Sequence, residues 1–268
     1  MKDASFLITY RESESADRRE NLFAVLRWLE QWPEMQAVVV EQDTVPRFDA
    51  LPFGTACLAY NPGPFNKSWG FNIAARLSRN PILIVGDADV IAPHTLADAV
   101  ERCRQDATAV KPYREIIDLT PEETKRVRSG EWTLSPVRPK DSPHSREGQQ
   151  EFVVFAGGLF VIRRDAYLRI GGFDERFLGW GGEDDAMSAR IRRMGIPTEE
   201  IVTQPALHLW HPRSRESTFG QAHYKANVAL LADYDRYSDA ELARLCEAQR
   251  QEMGHLQKYR PAGGRIAL

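Results

Sequence analysis

Two short apolar runs, Ser5-Phe-Leu-Ile-Thr-Tyr10 and Ala37-Val-Val-Val40, bracket a stretch of helical periodicity, and that order constrains the fold more than any other feature of the chain. Each run reads as a buried strand. Between them, residues 16–32 place Leu22, Val25, Leu26 and Leu29 at helical spacing, and Pro33 ends the pattern. Strand, helix and strand in succession imply a parallel pair with a helical crossover. This is the unit of doubly wound α/β folds, which bind ligands beyond the C-terminal ends of their strands. The residues at those ends are Tyr10 and Arg11 after the first strand, and Glu41, Gln42 and Asp43 after the second. Residues 68–77 read as a helix, and Pro81-Ile-Leu-Ile-Val85 as a third apolar strand that would deliver Asp87 and Asp89 to the same rim. Residues 94–104 read as a covering helix.

From 120 to 150 the chain changes character. Prolines, serines and glycines accumulate, and Lys125, Arg126, Arg128, Arg138, Lys140 and Arg146 outnumber the nearby acids. The expected structure is a solvated excursion from the core with one short helix at 121–129, and an acceptor-binding role is the competing reading. Strand composition resumes at Glu151-Phe-Val-Val-Phe155 and Leu159-Phe-Val-Ile162, around Gly157-Gly158, and 165–170 suits a short helix. After His211 come a polar stretch over 212–220 and two helical segments, the last opening on Ser238-Asp-Ala-Glu241 as a capping box. The expected organisation is a main domain over 1–215 and a helical extension over 216–268.

A chain of 268 residues can bury its core as one body, and a net charge of -3 offers no general attraction to nucleic acid or to an anionic membrane. No apolar run approaches the roughly 20 residues that span a bilayer, and the N-terminus lacks a signal peptide's apolar core. A cytoplasmic protein is the expectation. Cys57, Cys103 and Cys246 are scattered without paired spacing, so they read as reduced structural thiols.

The chemistry concentrates in Phe177-Leu-Gly-Trp-Gly-Gly-Glu-Asp-Asp-Ala186. Trp180 offers a flat face to a sugar ring, and Gly181 and Gly182 let a ligand approach the backbone. Glu183, Asp184 and Asp185 crowd like charges together, which suits a helix N-terminus, a site that needs several acceptors, or both. Asp87-Ala88-Asp89 could hold a hard cation that bridges the oxygens of a diphosphate. His208 and His211, in Ala206-Leu-His-Leu-Trp-His211, could present imidazole nitrogens to the same ion from a turning segment, and mixed oxygen and nitrogen ligation suits Mn²⁺, with Mg²⁺ as the alternative. One histidine against Trp210 and the other in water is the bland alternative. With a cation stabilising the leaving group, Asp184 would deprotonate an attacking hydroxyl in a direct, inverting displacement, leaving Glu183 and Asp185 to orient sugar hydroxyls or hold the helix start. Arg213 and Arg215 could clamp phosphate.

Phe65-Asn-Lys67 with Asn72, Val85-Gly-Asp-Ala-Asp-Val-Ile91, Phe155-Ala-Gly-Gly158, Ile170-Gly-Gly-Phe-Asp174 and Trp180-Gly-Gly-Glu-Asp-Asp185 follow one another in a specific order. The series resembles the GT-A glycosyltransferases that share a C-terminal module with animal Golgi beta-galactosyltransferases and with bacterial chondroitin-polymerase-like enzymes. The resemblance implies a Rossmann-like α/β fold with a mixed, mainly parallel central sheet flanked by helices. It implies Asp89 as the carboxylate ligand of the metal, Asp87 at the nucleotide with Ala88, and Asp184 as the base. Trp180 and Glu183 would shape the sugar sites, with Gly158, Gly181, Gly182 and Asp185 beside them. Thr9, Tyr10, Arg11, Glu41 and Asp43 would hold base and ribose, and Asn66 and Lys67 would lie at the donor. His211 matches the family's metal-binding histidine. His208 stands where the galactosyltransferases have a methionine and a related group has its histidine, so both remain candidates. Ala186 replaces a further acid, and 120–150 aligns poorly. The Golgi enzymes' anchor and stem have no counterpart here, which fits a soluble bacterial or viral enzyme.

The function expected from these residues is metal-dependent, inverting transfer of a hexose, galactose or N-acetylgalactosamine first, from a UDP-sugar to a saccharide or glycoconjugate. Two other readings stand beside it. In one the acceptor is a protein, a metabolite or a modified DNA base, with Trp132 and the basic excursion along a phosphate backbone. In the other the chain is a nucleotide-sugar sensor or assembly subunit that docks a partner through residues 242–253.

Overall fold

The computed structural model describes residues 1–137, 150–212 and 222–260. Three parallel strands form its centre, β1 (Ala4–Tyr10), β2 (Gln36–Asp43) and β4 (Ile82–Gly86), and β3 (Thr55–Tyr60) lies at one edge. The helix α1 (Asp17–Leu29) connects β1 to β2, and α2 (Lys67–Leu77) connects β3 to β4. All seven residues of β1 are buried, as a strand covered on both faces requires. Alternate side chains serve different cores. Phe6 and Ile8 pack with Leu22, Val25 and Trp28 of α1, while Leu7 packs with Val38, Trp69 and Phe71 under α2. Truncating one of the large aromatics, such as Phe71, to alanine costs about 3–5 kcal/mol.

The seven-stranded sheet runs in the order β10-β6-β9-β4-β1-β2-β3, where β6 is Ala109–Lys111, β9 is Leu159–Arg163 and β10 is Thr198–Glu200. Only β9 runs against its neighbours, β4 and β6. A second, four-stranded sheet has the order β5-β11-β7-β8, with β5 at Val90–Ile91, β7 at Glu115–Asp118, β8 at Gln150–Phe152 and β11 at Ala206–His208. The chain passes from the large sheet to the small one through Asp87, Ala88 and Asp89, between β4 and β5. Helix α3 (Leu96–Gln105) covers the large sheet.

Helix α2 lies unusually close to the sheet. A Cβ on Gly70 would stand 1.9 Å from Thr9 Oγ1, so glycine is required there. Asn66 caps the helix by accepting from Trp69 N at 2.9 Å.

Helix α4 (Pro121–Arg128) opens on a Thr120–Glu123 capping box and packs on α1, with Thr124 and Val127 buried. The start of the expected solvated excursion is therefore part of the core, because Val127 and the partly buried Trp132 and Leu134 join the cluster under α1. Two of its basic residues are paired within the protein: Arg128 binds Asn21 at 2.9 Å and Asp17 at 3.0 Å, and Arg126 pairs with Glu131. Arg138, Lys140 and Arg146 lie outside the described residues.

Helix α5 (Arg164–Arg169) precedes α6 (Glu183–Arg193), which carries the acidic triplet in its first turn. After it, α7 (Ala222–Arg236) and α8 (Asp239–Glu252) pack on α6 and α5, and α8 opens on the expected Ser238–Glu241 capping box. A small cluster of Phe177, Ala186, Tyr234, Leu242 and Cys246 joins them. Beneath it Arg190, fully buried, donates to Gly172 O at 2.9 Å and Tyr234 Oη at 3.0 Å and lies 3.3 Å from Asp174. Tyr234 donates to the same Asp174 at 2.7 Å, and Gln249 Nε2 donates to it at 3.0 Å. A buried charge pair so completely hydrogen-bonded ties the helix that begins at Glu183 to the C-terminal helices. Cys57, Cys103 and Cys246 are free thiols. Among the described residues, no helix is long and apolar enough to cross a membrane.

Candidate functional site

Two clusters of charged side chains meet at the step between the sheets. The backbone there is pinned from three directions: Asp87 N donates to Gly158 O at 2.8 Å, Val90 N to Asp87 O at 3.4 Å, and Leu209 N to Asp89 O at 2.8 Å. The two carboxylates of the triplet then join different groups.

Asp89 joins the histidines. His211 Nε2 is 3.2 Å from one Asp89 oxygen and His208 Nε2 is 3.7 Å from the other. One ligand atom from each of the three residues falls within 4.8 Å of the others, a spacing that one cation could satisfy. Burial works against ionisation of Asp89, but the nearby His208 and His211 outweigh it and hold the carboxyl well below its usual range. His208 lies on strand β11 rather than in the turning segment expected, with its ring 5.5 Å from that of His211. Both imidazoles reach Asp89, where the bland alternative leaves one of them in water. Asn21 Nδ2 donates to Trp210 O at 3.1 Å and Trp210 N donates to Thr124 Oγ1 at 2.8 Å, so α1 and α4 fix the chain between the two imidazoles.

Asp87 joins Lys67. The ammonium lies 3.0 Å from Asp87, 3.0 Å from Asp184 and 3.8 Å from Glu183. Burial opposes its charge, and the carboxylates override burial and hold Lys67 protonated. Three acids around one lysine cannot all ionise cheaply. Desolvation raises Asp87 and Asp184, and it pushes Glu183 up to about 7. Glu183 Oε2 is buried without a hydrogen-bond partner. The triplet opens α6 with its carboxylates at the positive end of the helix, and Glu183 and Asp184 face Lys67. Asp185 is exposed.

The glycines of this region make room for protein neighbours. A Cβ on Gly182, whose φ is +88°, would stand 2.8 Å from the Phe177 ring, and one on Gly181 would stand 3.0 Å from Tyr224. Gly158 likewise leaves space for the Tyr113 hydroxyl, 2.4 Å from where its Cβ would be. Trp180 stacks on Tyr224 of α7 at 5.5 Å and 19°.

The residues expected at the base and ribose are largely engaged within the protein. Thr9 Oγ1 accepts from Gln42 at 2.9 Å, and Gln42 also donates to Asn66 O at 2.7 Å. Arg11 spans Gln42 O, Asn61 O and Gly63 O at 2.6–2.8 Å. Tyr10 packs on Phe48 and donates to Glu12 at 3.2 Å. Glu41, buried, accepts from Arg47 N at 2.7 Å, and Asp43 pairs with the Arg47 guanidinium at 2.8 Å. Both acids lie within β2, which runs further than the apolar run suggests. Asn66 holds Glu175 O and Tyr259 Oη at 3.0 Å each, and Ala88 is half-buried between the two aspartates. Arg213 and Arg215 lie outside the described residues.

Three residues beside the clusters escape a reading of the sequence. Asp118 stands 2.5 Å from His208 Nδ1. Lys111 is buried, its charge disfavoured by burial so that it falls to about 7; it donates to Gly157 O and lies 4.4 Å over the Tyr113 ring. Tyr113 donates to the same carbonyl at 3.1 Å and accepts from Leu159 N at 2.6 Å. An acid closing the apolar Ile116-Ile117 pair, and a lysine closing Ala109-Val110, are the only local signals of these positions.

Residues 145–211 match the family model described as the N-terminal domain of galactosyltransferase. The chain is 28% identical over 149 residues to N-acetylgalactosaminyltransferase 6 of Drosophila melanogaster, covering 48% of this chain and 22% of that one. It is 40% identical over 57 residues to human beta-1,4-galactosyltransferase 3, covering 21% of this chain and 14% of the relative. The chain therefore spans less than a quarter of the length of either relative. Among solved structures, GalNAc-T7 with UDP, GalNAc and Mn²⁺ superposes with a TM-score of 0.56 at 16% identity, over 92% of this chain and 54% of that one. The fold is the GT-A fold of the glycosyltransferases.

Proposed function

We propose that the protein transfers a hexose, galactose or N-acetylgalactosamine, from a UDP-sugar to a hydroxyl of a saccharide or glycoconjugate acceptor, with inversion and with the help of Mn²⁺. The observation that carries this reading is the meeting of the two clusters across Asp87-Ala88-Asp89: a place for a cation that neutralises a diphosphate adjoins a place for a carboxylate base. The GT-A fold and the galactosyltransferase-type match over 145–211 support it, as does the UDP, GalNAc and Mn²⁺ complex of the structural neighbour.

The residues fit the cation. One carboxylate oxygen and two imidazole nitrogens make a donor set of intermediate softness, better suited to Mn²⁺ than to Mg²⁺ or Ca²⁺. Asp89, His208 and His211 would hold it, and it would supply Lewis-acid stabilisation of the departing diphosphate.

Asp184 performs the proton transfer. As the acceptor oxygen bonds to the anomeric carbon, its proton passes to the Asp184 carboxylate, and the bond to the diphosphate breaks with its electron pair on the phosphate oxygen. A single carboxylate opposite the leaving group gives inversion. Burial makes Asp184 a stronger base than an exposed carboxylate, and Lys67 keeps it ionised. Glu183, poised near neutrality, donates a hydrogen bond to a sugar hydroxyl or accepts one. In this reading Trp180, stacked on Tyr224, and the exposed Asp185 would meet the acceptor.

Release of UDP from a panel of UDP-sugars, with Mn²⁺ or EDTA and without acceptor, tests the proposal. Metal-dependent hydrolysis of one donor is expected. Tight binding of a UDP-sugar that stays intact would favour a sensor, and no binding at all would remove UDP-sugars from consideration.

A further inference from the structure

The two histidines of the cation site are held very differently. His211 Nδ1 lies 3.0 Å from the carbonyl of its own neighbour, Pro212. His208 Nδ1 lies 2.5 Å from an oxygen of Asp118, a side chain only 6% exposed. Asp118 ends β7, and the parallel register of β7 with β11 sets it directly across from His208. On the other side β11 pairs with β5, opposing His208 to Val90, the residue after Asp89. The small sheet thus carries Asp118, His208 and the neighbour of Asp89 on successive strands. Leu119 N donates to His208 O at 2.9 Å, a second tie between the same strands.

We propose that Asp118 is a positioning residue of the cation site: by accepting a hydrogen bond from His208 Nδ1, it turns the Nε2 lone pair toward Asp89 and makes His208 the anchoring imidazole. The inference rests on the cation site proposed above. A neutral imidazole can give a lone pair to a metal from one nitrogen only while the other carries the proton, so the partner of the second nitrogen decides which one is free. A carboxylate partner fixes the ring and strengthens its donation to the metal, an outer-shell contact whose loss typically weakens metal binding about 10- to 100-fold. Asp118 has that relation to His208, and Nε2 is already turned to within 3.7 Å of Asp89.

The test is Mn²⁺ binding to the whole chain without nucleotide or sugar, read from the electron paramagnetic resonance of the free ion. Asp118→Asn keeps an acceptor and loses the charge, and is expected to weaken binding about 10-fold; Asp118→Leu loses both, and is expected to weaken it about 100-fold. Asp118→Glu is expected to recover part of the loss. Spin-echo modulation from coordinated imidazole should show two nitrogens in the unaltered chain and one in Asp118→Leu, a change that a merely structural role would not cause. Unaltered affinity and two coordinated nitrogens in Asp118→Leu would overturn the inference and leave the cation site standing. Should that variant unfold, Asp118→Asn decides, and unchanged affinity there overturns it equally. An unaltered chain that binds no Mn²⁺ overturns the cation site and this inference together. A chain that binds Mn²⁺ as expected but transfers no sugar leaves the inference intact.

Discussion

Lys67 holds its ammonium 3.0 Å from both carboxylate oxygens of Asp184, so the proposed base is also half of a largely buried ion pair. Replacing the lysine by methionine keeps the stem and removes the charge. Burial already raises Asp184, and Lys67 is the largest influence that lowers it. An opposite charge at this distance is worth about 1–3 pKa units, so the acidic limb of the pH dependence of kcat/KM should move up by about that much in Lys67→Met. A limb that stays in place would separate Asp184 from the rate.

Asp184→Asn preserves size and removes the base. Transfer is expected to fall by about 100- to 10,000-fold, the usual worth of a positioned general base. UDP and Mn²⁺ affinity, measured by calorimetry, should stay near that of the unaltered chain, because the cation cluster does not include Asp184. Near-normal turnover would assign the proton to another group.

Asp89→Ala removes the one carboxylate that the described residues bring to the cation cluster. Metal-dependent UDP binding should disappear, while any binding that survives EDTA persists. Thermal unfolding at neutral pH should come earlier, since the histidines hold this carboxylate ionised despite burial and its removal leaves them without their partner. UDP affinity that still responds to Mn²⁺ would displace Asp89 from the coordination sphere.

Tyr234 bridges Arg190 and Asp174 through one hydroxyl, accepting from the first at 3.0 Å and donating to the second at 2.7 Å. Tyr234→Phe leaves both partners short of a bond in a buried place. The expected cost is about 1–3 kcal/mol in denaturant unfolding. Since Arg190 belongs to the helix that presents Asp184, kcat should also fall modestly with KM nearly constant. A variant as stable as the unaltered chain would show that water replaces the hydroxyl.

The strands that read clearly in the sequence are those buried on both faces. β1, β2 and β4 are continuous apolar runs, and their order gives the parallel core. Strand β3 does not stand out, because Thr55-Ala-Cys-Leu-Ala-Tyr60 is a mostly half-exposed edge with little β-branched content. The small sheet is built from strands of two to four residues, too short to set up a period. Asp87, Asp89, Asp184 and the two histidines are legible because each sits in a local motif. Asp118 is not, since its partner is 90 residues away and only strand pairing brings them together. Lys111 is hidden in the same way behind Gly157. The glycines at 158, 181 and 182 are conspicuous in the sequence, but what each accommodates is a protein ring or hydroxyl that packing alone reveals.

Glu183 offers a test of the electrostatic argument that is independent of turnover. Its carboxyl is pushed up to about 7 by burial, from an unfolded value near 4.5. A raised acid keeps its proton in the folded state after the unfolded chain has lost it, so folding becomes less favourable as pH rises from about 4.5 to about 7, and the full penalty persists above that. The difference corresponds to about 3–4 kcal/mol at most. Glu183→Gln resembles the protonated acid and escapes the penalty. Its melting temperature should match that of the unaltered chain near pH 5 and exceed it near pH 8, while sugar transfer falls because one acceptor is lost. Parallel pH profiles for the two proteins would mean that Glu183 ionises normally, and that Lys67 alone balances all three carboxylates.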